Sequence, residues 1–179
     1  MGNENPDTDA RLSFMKNLAD LRRKDDPSRL ISAACLINID ELKIKDRLVD
    51  FIDIASINQY YGWYYRNYDT LISILGNINL GKPIIISETG GKAIPGMHGA
   101  TDVIYTEECQ RDIYENQFRM IDKFDYVRGI SPWILYDYKT QVRMNHYQKG
   151  INLKGLISKE RDYKKQAYYT VKEYYGKKG

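Results

Sequence analysis

Two glutamates are the side chains in this sequence best suited to acid–base and nucleophilic chemistry. Glu4 follows Asn3 near the start of the sequence, and Glu88 ends the apolar run IIISE at residues 84–88. Hydrolysis of a glycosidic bond uses two such groups: one carboxyl protonates the leaving oxygen, and one carboxylate attacks the anomeric carbon. The two residues are far apart in the sequence, so only a fold can bring them together. Taken alone, each also fits the role of a solvated or ion-paired carboxylate.

Aromatic side chains also stand where apolar runs end. Tyr60 and Tyr61 end the run that begins at Phe51, and Trp133 lies near the end of the run at residues 127–135. A tyrosine hydroxyl can orient a carboxylate through a hydrogen bond, and a flat indole face can pack against a sugar ring. Packing within the protein is the alternative role for each of these rings.

The elements that must position these residues alternate along the chain. The predicted strands are short continuous apolar runs at residues 30–37, 51–61, 84–88 and 127–135. The predicted helices begin at the polar cluster of residues 7–9, at Asp69 and Thr70, at Thr106 and near Lys159, with a weaker amphipathic helix at residues 41–50. This alternation predicts an α/β fold with a parallel sheet, either an open doubly wound sheet or part of a barrel. In both, the active site lies at the carboxyl ends of the strands, where these polar and aromatic residues are expected to meet.

Length and composition limit the alternatives. With 179 residues, 42% hydrophobic and 28% charged, the chain is long enough for one folded domain. It is shorter than a closed (β/α)8 barrel, which needs about 250 residues. It contains no apolar run of about 18 residues, so we expect no membrane span. A net charge of only +3, without a recognisable nucleic-acid-binding module, argues against a nucleic-acid partner.

Neither a metal nor an organic cofactor is expected. Cys35 and Cys109 lie in apolar segments, and with two histidines the chain offers no ligand cluster with the spacing of a zinc site. The glycine-rich phosphate-binding motifs of nucleotide-binding folds are absent. The N-terminal residues do not form a signal peptide, which leaves open a cytoplasmic location, or a periplasmic or secreted one for a longer parent protein.

Five segments in order resemble one known family. They are GNENPD at 2–7, NQYYGWY at 58–64, IIISETGG at 84–91, SPWILYDY at 131–138 and NLKGLISKERDYKKQAYY at 152–169. Together they resemble the catalytic domain of glycoside hydrolase family 2, and within it the β-glucuronidases and bacterial β-galactosidases. The resemblance implies an α/β fold that is a partial (β/α)8 TIM barrel, from the end of the fourth strand through the eighth strand and final helix. It also implies a single domain at 1–179, the C-terminal half of that barrel.

The resemblance assigns a role to each candidate residue. It implies that Glu4 is the catalytic acid/base, that Glu88 is the nucleophile and that Tyr60 donates a hydrogen bond to the nucleophile. The residues that it implies in substrate binding are Asn3 at the sugar 2-hydroxyl, Tyr64, His98, Trp133 as a platform under the sugar, and Asn152 with Lys154 as an Asn-x-Lys motif. A lysine ammonium facing a uronate carboxylate is a sound physical reason for a preference for uronides.

The resemblance predicts a retaining exo-β-glycosidase that acts by double displacement on a carbohydrate, with β-glucuronide preferred over β-galactoside. A β-galactosidase of the same family is the first alternative, because stretches similar to NLKGL also occur in family members described as galactosidases. Thr89, in place of the usual aromatic residue, and Ile134–Leu135, in place of a more polar pair, depart from the family pattern. The second alternative is a truncated barrel that is inactive alone, or a homo-oligomer that covers its open edge.

Overall fold

The protein divides into two compact units. The computed structural model describes residues 3–65 and 67–178, so Met1, Gly2, Arg66 and Gly179 lie outside the described residues. The first unit comprises Met1–Gln59, Asn67–Glu88 and Phe124–Ser131. The second unit comprises Tyr60–Arg66, Thr89–Lys123 and Pro132–Gly179. A single domain over residues 1–179 stays a prediction.

A four-stranded sheet forms the centre of the first unit. Its strands are β1 (Ser32–Ala34), β4 (Ile54–Asn58), β5 (Ile84–Thr89) and β6 (Val127–Pro132). Two further short strands, β2 (Ile37–Asn38) and β3 (Lys43–Ile44), form a separate pair between β1 and β4 in the sequence. The sheet has the order β1-β4-β5-β6, and the pairs β1–β4 and β4–β5 are parallel. Ile57, Ile84 and Ile86 are completely buried, as expected for strands covered on both faces. The predicted parallel α/β sheet is therefore confirmed.

The helices of the first unit begin at side-chain caps. In α1 (Asp9–Asp25), the Thr8 hydroxyl accepts a hydrogen bond from the Arg11 amide, and the helix ends just before Pro27. In α2 (Tyr68–Gly76), the Asn67 side chain accepts a hydrogen bond from the Asp69 amide. The residues of α2 that pack into the core are Leu71, Ile74 and Leu75.

No helix in the described part of the chain is long and apolar enough to cross a membrane.

The segment between β1 and β4 differs from its prediction. The helix predicted at 41–50 is absent: β3 pairs antiparallel with β2, and a 3-10 helix follows at Arg47–Phe51. The cause is Asp46, whose carboxylate accepts hydrogen bonds from the Leu36 and Leu48 amides and holds the segment as a loop. The run at 30–37 is also interrupted, so that β1 keeps only three residues, with Ser32 exposed.

Two helices and a hairpin form the second unit. The helices are α3 (Glu107–Ile121) and α4 (Gln166–Lys178), and β7 (Tyr138–Lys139) pairs antiparallel with β8 (Ile151–Asn152). Thr106 caps α3 at its predicted start, and Ala167 and Val171 of α4 are buried. The Phe118 and Tyr174 rings stack with centroids 3.8 Å apart.

The helix α4 begins seven residues later than the predicted start at Lys159. The preceding residues form a turn instead, in which the Ser158 hydroxyl donates to Asp162 and accepts from the Tyr163 amide. Arg161 has a φ of 68°, a left-handed conformation that a helix does not accommodate. Hydrogen bonds from side chains to nearby groups therefore replaced the first helical turn.

We expect Asp46→Ala to destabilise the protein by about 3–5 kcal/mol, because it leaves a buried guanidinium without its partner. Arg11 donates to both Asp46 oxygens at 2.8 and 2.9 Å, and the Asp46 side chain is completely buried. Chemical denaturation measures the change. Asp9→Ala is the matched control, because Asp9 pairs with Arg47 at the surface, and only a small change is expected there. Equal effects of the two substitutions would contradict this account.

Candidate active site

The carboxyl ends of three neighbouring strands bring the predicted acidic residues of the first unit together. The Glu4 amide donates to the carbonyl of Ala34, the last residue of β1, at 3.2 Å. Asn58 at the end of β4 is the register partner of Glu88 in β5, just after a register shift in the β4–β5 pairing. A main-chain hydrogen bond extends the β4–β5 pairing by one residue: the Gln59 amide donates to the Glu88 carbonyl at 2.9 Å.

Asn58 connects the polar side chains of this group. Its Nδ2 donates to Asn3 Oδ1 at 2.6 Å, and its Oδ1 accepts from the Ser87 hydroxyl at 2.7 Å. Its amide also donates to the Glu4 carboxylate. Asn58 is 8% exposed, so these bonds hold it in place. The sequence analysis assigns Asn58 no role; the signal that could have found it is its position as the first residue of the NQYYGWY segment.

The surroundings of Glu4 favour its protonated form. Partial desolvation raises the pKa of the Glu4 carboxyl above its ordinary value, and repulsion from the Glu88 carboxylate raises it further. The hydrogen bond from Asn58 lowers the pKa but does not reverse the shift. Glu4 also has a φ of 50°, an uncommon conformation for a residue other than glycine. A pKa raised in this way is the property that a general acid requires.

We expect Asn58→Leu to raise the pKa of Glu4 further, because leucine keeps a similar volume but removes the hydrogen bond that stabilises the carboxylate. Glu88→Gln should lower the pKa of Glu4, because it removes the repulsion. An NMR titration of carbon-13-labelled glutamate carboxyls measures both shifts. Ser87→Ala is the control, since it leaves the Asn58 amide donors intact. Shifts of the same sign in Asn58→Leu and Glu88→Gln would rule out this electrostatic description.

Lys154 is the centre of a second group of predicted site residues, all in the second unit. Its side chain is 4% exposed, and its ammonium lies 3.3 Å from the Tyr60 ring centroid and 4.8 Å from the Tyr64 ring centroid. The two tyrosine rings meet edge to face with centroids 5.5 Å apart. Aromatic faces attract a cation and partly compensate its burial, so this is a defined position for a buried ammonium.

Asn152 supports the lysine through the backbone. Its Oδ1 accepts from the Lys154 amide at 3.2 Å, and its Nδ2 donates to the Tyr138 hydroxyl at 3.0 Å. Asn152 is itself 4% exposed. The structure therefore brings both members of the Asn-x-Lys motif together, with the asparagine shaping the loop that carries the lysine.

Trp133 and His98 occupy different surroundings in the second unit. The Trp133 amide donates to the Thr89 carbonyl at 2.7 Å, directly after Glu88 in the chain, and the Trp133–Ile134 peptide is cis. His98 is half exposed, and its Nδ1 lies 2.9 Å from Glu108 Oε1 and 3.3 Å from the Gln166 amide nitrogen. These contacts tie His98 to the first residues of α3 and α4, and its predicted contact with substrate stays a prediction.

No group of three histidine, cysteine, aspartate or glutamate side chains in residues 3–65 and 67–178 could hold a metal ion. The prediction that the reaction uses no metal stays a prediction. Cys35 and Cys109 are both buried, and burial raises the pKa of the Cys35 thiol to about 12, which keeps it protonated at neutral pH.

Helix-covered parallel strands with acidic side chains at their carboxyl ends are typical of (β/α)8-barrel enzymes. The family described as "Glycosyl hydrolases family 2, TIM barrel domain" matches residues 1–178, and the chain belongs to this family. The predicted family and the predicted partial barrel are thereby confirmed.

Relatives of known name are similar over most of the chain. The β-glucuronidase of Streptococcus agalactiae is 32% identical over 154 residues, which cover 75% of this chain and 24% of that protein. The β-glucuronidase of Paenibacillus borealis is 30% identical, with 80% and 25% covered. The solved structure of a GH2 β-galacturonidase from Eisenbergiella tayi superposes with a TM-score of 0.84 at 25% identity, covering 99% of this chain and 32% of that chain. The chain therefore spans about a quarter of the length of these curated relatives.

Proposed function

We propose that the protein is a retaining exo-β-glycosidase of the β-glucuronidase type, which removes terminal β-linked uronic acids. The observation that carries the proposal is the acidic pair: Glu4, hydrogen-bonded to the carboxyl end of β1, has its pKa raised in part by Glu88 of β5, with β4 between the two strands. Hydrolysis of a glycosidic bond requires one carboxyl that donates a proton and one carboxylate that attacks, and a raised pKa suits Glu4 to the first role. The family membership supports this reaction class.

The proposed reaction proceeds in two displacements. Glu88 attacks the anomeric carbon, the bond from that carbon to the leaving oxygen breaks, and the proton of Glu4 passes to the leaving oxygen. Glu4, now a carboxylate, then takes a proton from water. The water oxygen attacks the anomeric carbon and displaces the Glu88 carboxylate, so that the product keeps the β configuration. Asn3 is proposed to bind the sugar 2-hydroxyl, and Tyr60 to orient Glu88.

The substrate class is proposed from Lys154. A buried ammonium forms a strong charge-assisted hydrogen bond with a carboxylate, and a neutral sugar has no group that replaces this bond. The names of the similar proteins, β-glucuronidase and β-galacturonidase, both refer to uronides. Tyr64, Trp133, Asn152 and His98 keep the substrate-binding roles that the resemblance implies.

The proposal is tested by assaying the protein with the 4-nitrophenyl β-glycosides of glucuronate, galacturonate and galactose. Proton NMR of the sugar released first reports the stereochemistry, and the β anomer is expected. Faster hydrolysis of the galactoside would favour the β-galactosidase alternative. No turnover of any substrate would overturn the proposal for this chain and favour the inactive-fragment alternative. The predicted homo-oligomer that covers the open barrel edge stays a prediction.

We expect Lys154→Met to lower kcat/KM for the glucuronide by about 10- to 100-fold, because a hydrogen bond to a charged group contributes about 1.5–3 kcal/mol. Hydrolysis of the galactoside should change little, because that sugar carries no carboxylate. Lys139→Met is the matched control, since Lys139 lies on the exposed strand β7. An equal loss on both substrates would show that Lys154 does not recognise the carboxylate.

A further inference from the structure

A buried ion pair lies beside the loop that carries Lys154. The Lys165 ammonium lies 2.9 Å from Asp137 Oδ1 and 2.8 Å from Asp137 Oδ2, and both side chains are almost completely inaccessible to solvent. Lys165 is the residue before α4, and Asp137 lies four residues after Trp133. The proposed reaction assigns a role to neither of them. Desolvation raises the pKa of the Asp137 carboxyl to about 6, which shows how strongly burial opposes its charge.

The pair holds the peptide groups on both sides of Lys154. On one side, the Lys165 ammonium donates to the Leu153 carbonyl at 3.1 Å. On the other side, the Gly155 amide donates to Asp137 Oδ1 at 2.7 Å. A residue whose preceding and following peptide groups are both bonded to one buried ion pair has little freedom to change its backbone position.

Further contacts keep this loop close to the pair. A Cβ atom at position 155 would overlap with the Asp137 amide nitrogen, so only glycine fits there. Gln110 of α3 is completely buried, and its Nε2 donates to both the Gly155 and Gly91 carbonyls at 3.1 Å. Gly91 lies three residues after Glu88 in the sequence, so one amide group connects the Lys154 loop with the segment that follows the proposed nucleophile.

Stability alone is a weak reason for such a pair, because apolar side chains of similar volume often stabilise a core as well as a buried ion pair does. What an apolar pair would not supply is the acceptor for Gly155 and the donor for Leu153. We propose that Asp137 and Lys165 are positioning residues, which hold the Lys154 ammonium over Tyr60 and Tyr64 and thereby set the preference for a uronide over a neutral sugar. The part concerning substrate rests on the proposed function; the part concerning the position of Lys154 does not.

The position of Lys154 is tested by NMR. Because its ammonium lies over the Tyr60 ring, the neighbouring Cε protons of Lys154 should be shifted upfield by the ring current. Carbon-13-labelled lysine makes this signal visible, and Lys154→Met identifies it. In the double variant Asp137→Asn with Lys165→Met, both charges are removed together and asparagine still accepts from Gly155, but the donor to Leu153 is lost. The upfield shift should collapse in this variant.

The effect on specificity is tested by kinetics. A displacement of about 1 Å can cost on the order of 100-fold in rate, so kcat/KM for the glucuronide should fall by about 10- to 100-fold in the double variant. The galactoside should lose far less, so the ratio of the two substrates moves toward one. The control is Lys164→Met, which removes the exposed neighbouring ammonium that lies over the Tyr168 ring. It should change neither the NMR signal nor the ratio.

The outcomes separate the two parts of the proposal. A folded double variant, checked by circular dichroism, that keeps the upfield shift, or that loses both substrates equally, overturns the positioning role. A wild-type protein that hydrolyses neither substrate overturns the proposed function, and the NMR signal still decides whether the pair positions Lys154. If the double variant does not fold, Lys165→Met carries both measurements, because it removes the donor to Leu153 while Asp137, whose pKa burial already raises, can take up a proton in place of its lost partner.

Discussion

Glu88→Gln is expected to lower kcat for an aryl β-glucuronide by about 10 000-fold or more, the largest effect of any substitution in the chain. Glutamine is nearly isosteric with glutamate, so the β4–β5 pairing at Asn58 should persist. Its amide cannot form the glycosyl–enzyme intermediate, and loss of a nucleophile removes the whole covalent route rather than one stabilising contact. Steady-state kinetics at saturating substrate measures the effect.

Two further measurements make this test specific. Glu115→Gln is the matched control, because Glu115 is an exposed glutamate of α3 paired with Arg111, and it should retain full activity. A 2-deoxy-2-fluoro β-glucuronosyl fluoride should label the wild-type protein at Glu88, because the fluorine at C2 slows both displacements, whereas the activated fluoride leaving group keeps the first fast enough for the glycosyl–enzyme to accumulate. Peptide mass spectrometry locates the label. A label on another residue, or equal turnover by Glu88→Gln, would contradict the assignment.

Glu4→Gln is expected to give the second largest effect, with a size that depends on the leaving group. General acid catalysis contributes about 100- to 10 000-fold, so glucuronides with poorly acidic alcohols should lose that much in kcat/KM. Dinitrophenyl glucuronide needs no proton on its leaving oxygen, so its first step should be little affected. Its second step should become slow, because no base remains to deprotonate water. Azide, which needs no base, should restore turnover and give β-glucuronosyl azide.

The pH profile gives an independent test of the same residue. Glu4 must be protonated for the first displacement, so kcat/KM for a poor leaving group should fall as the pH rises through the pKa of Glu4. Because desolvation and the repulsion from Glu88 raise that pKa, this fall should occur above the pH at which an ordinary glutamate ionises. Glu4→Gln should remove this limb of the profile. A limb that persists in the variant belongs to another group and would remove Glu4 from the role of acid.

Much of the fold was predictable because local patterns determine local structure. The apolar run of β5, the Thr106 cap of α3 and the stop of α1 before Pro27 all depend on residues within a few positions of each other. The two incorrect helix predictions, at 41–50 and at the start of α4, have the opposite cause. Asp46 and Ser158 bind backbone or side-chain groups that compete with a helix, and a pattern of apolar spacing does not contain those bonds.

The candidate site divides in the same way. The sequence by itself determined which residue types are available for the chemistry. The five segments that resemble the family also predicted roles for Glu4, Glu88 and Lys154. The tertiary structure decided which side chains these residues contact and in which direction the pKa of Glu4 shifts. The raised pKa of Glu4 depends on Glu88 and Asn58, and the position of Lys154 depends on Tyr60.

The buried pair of Asp137 and Lys165 shows the limit most clearly. In the sequence, Asp137 lies in a polar loop and Lys165 in a basic stretch, where solvated side chains are the usual expectation. Only the folded chain brings them together out of water and bonds them to both sides of Lys154. Hydrophobic periodicity records which face of an element is buried, whereas a hydrogen bond between distant residues depends on distances that exist only after the chain has folded.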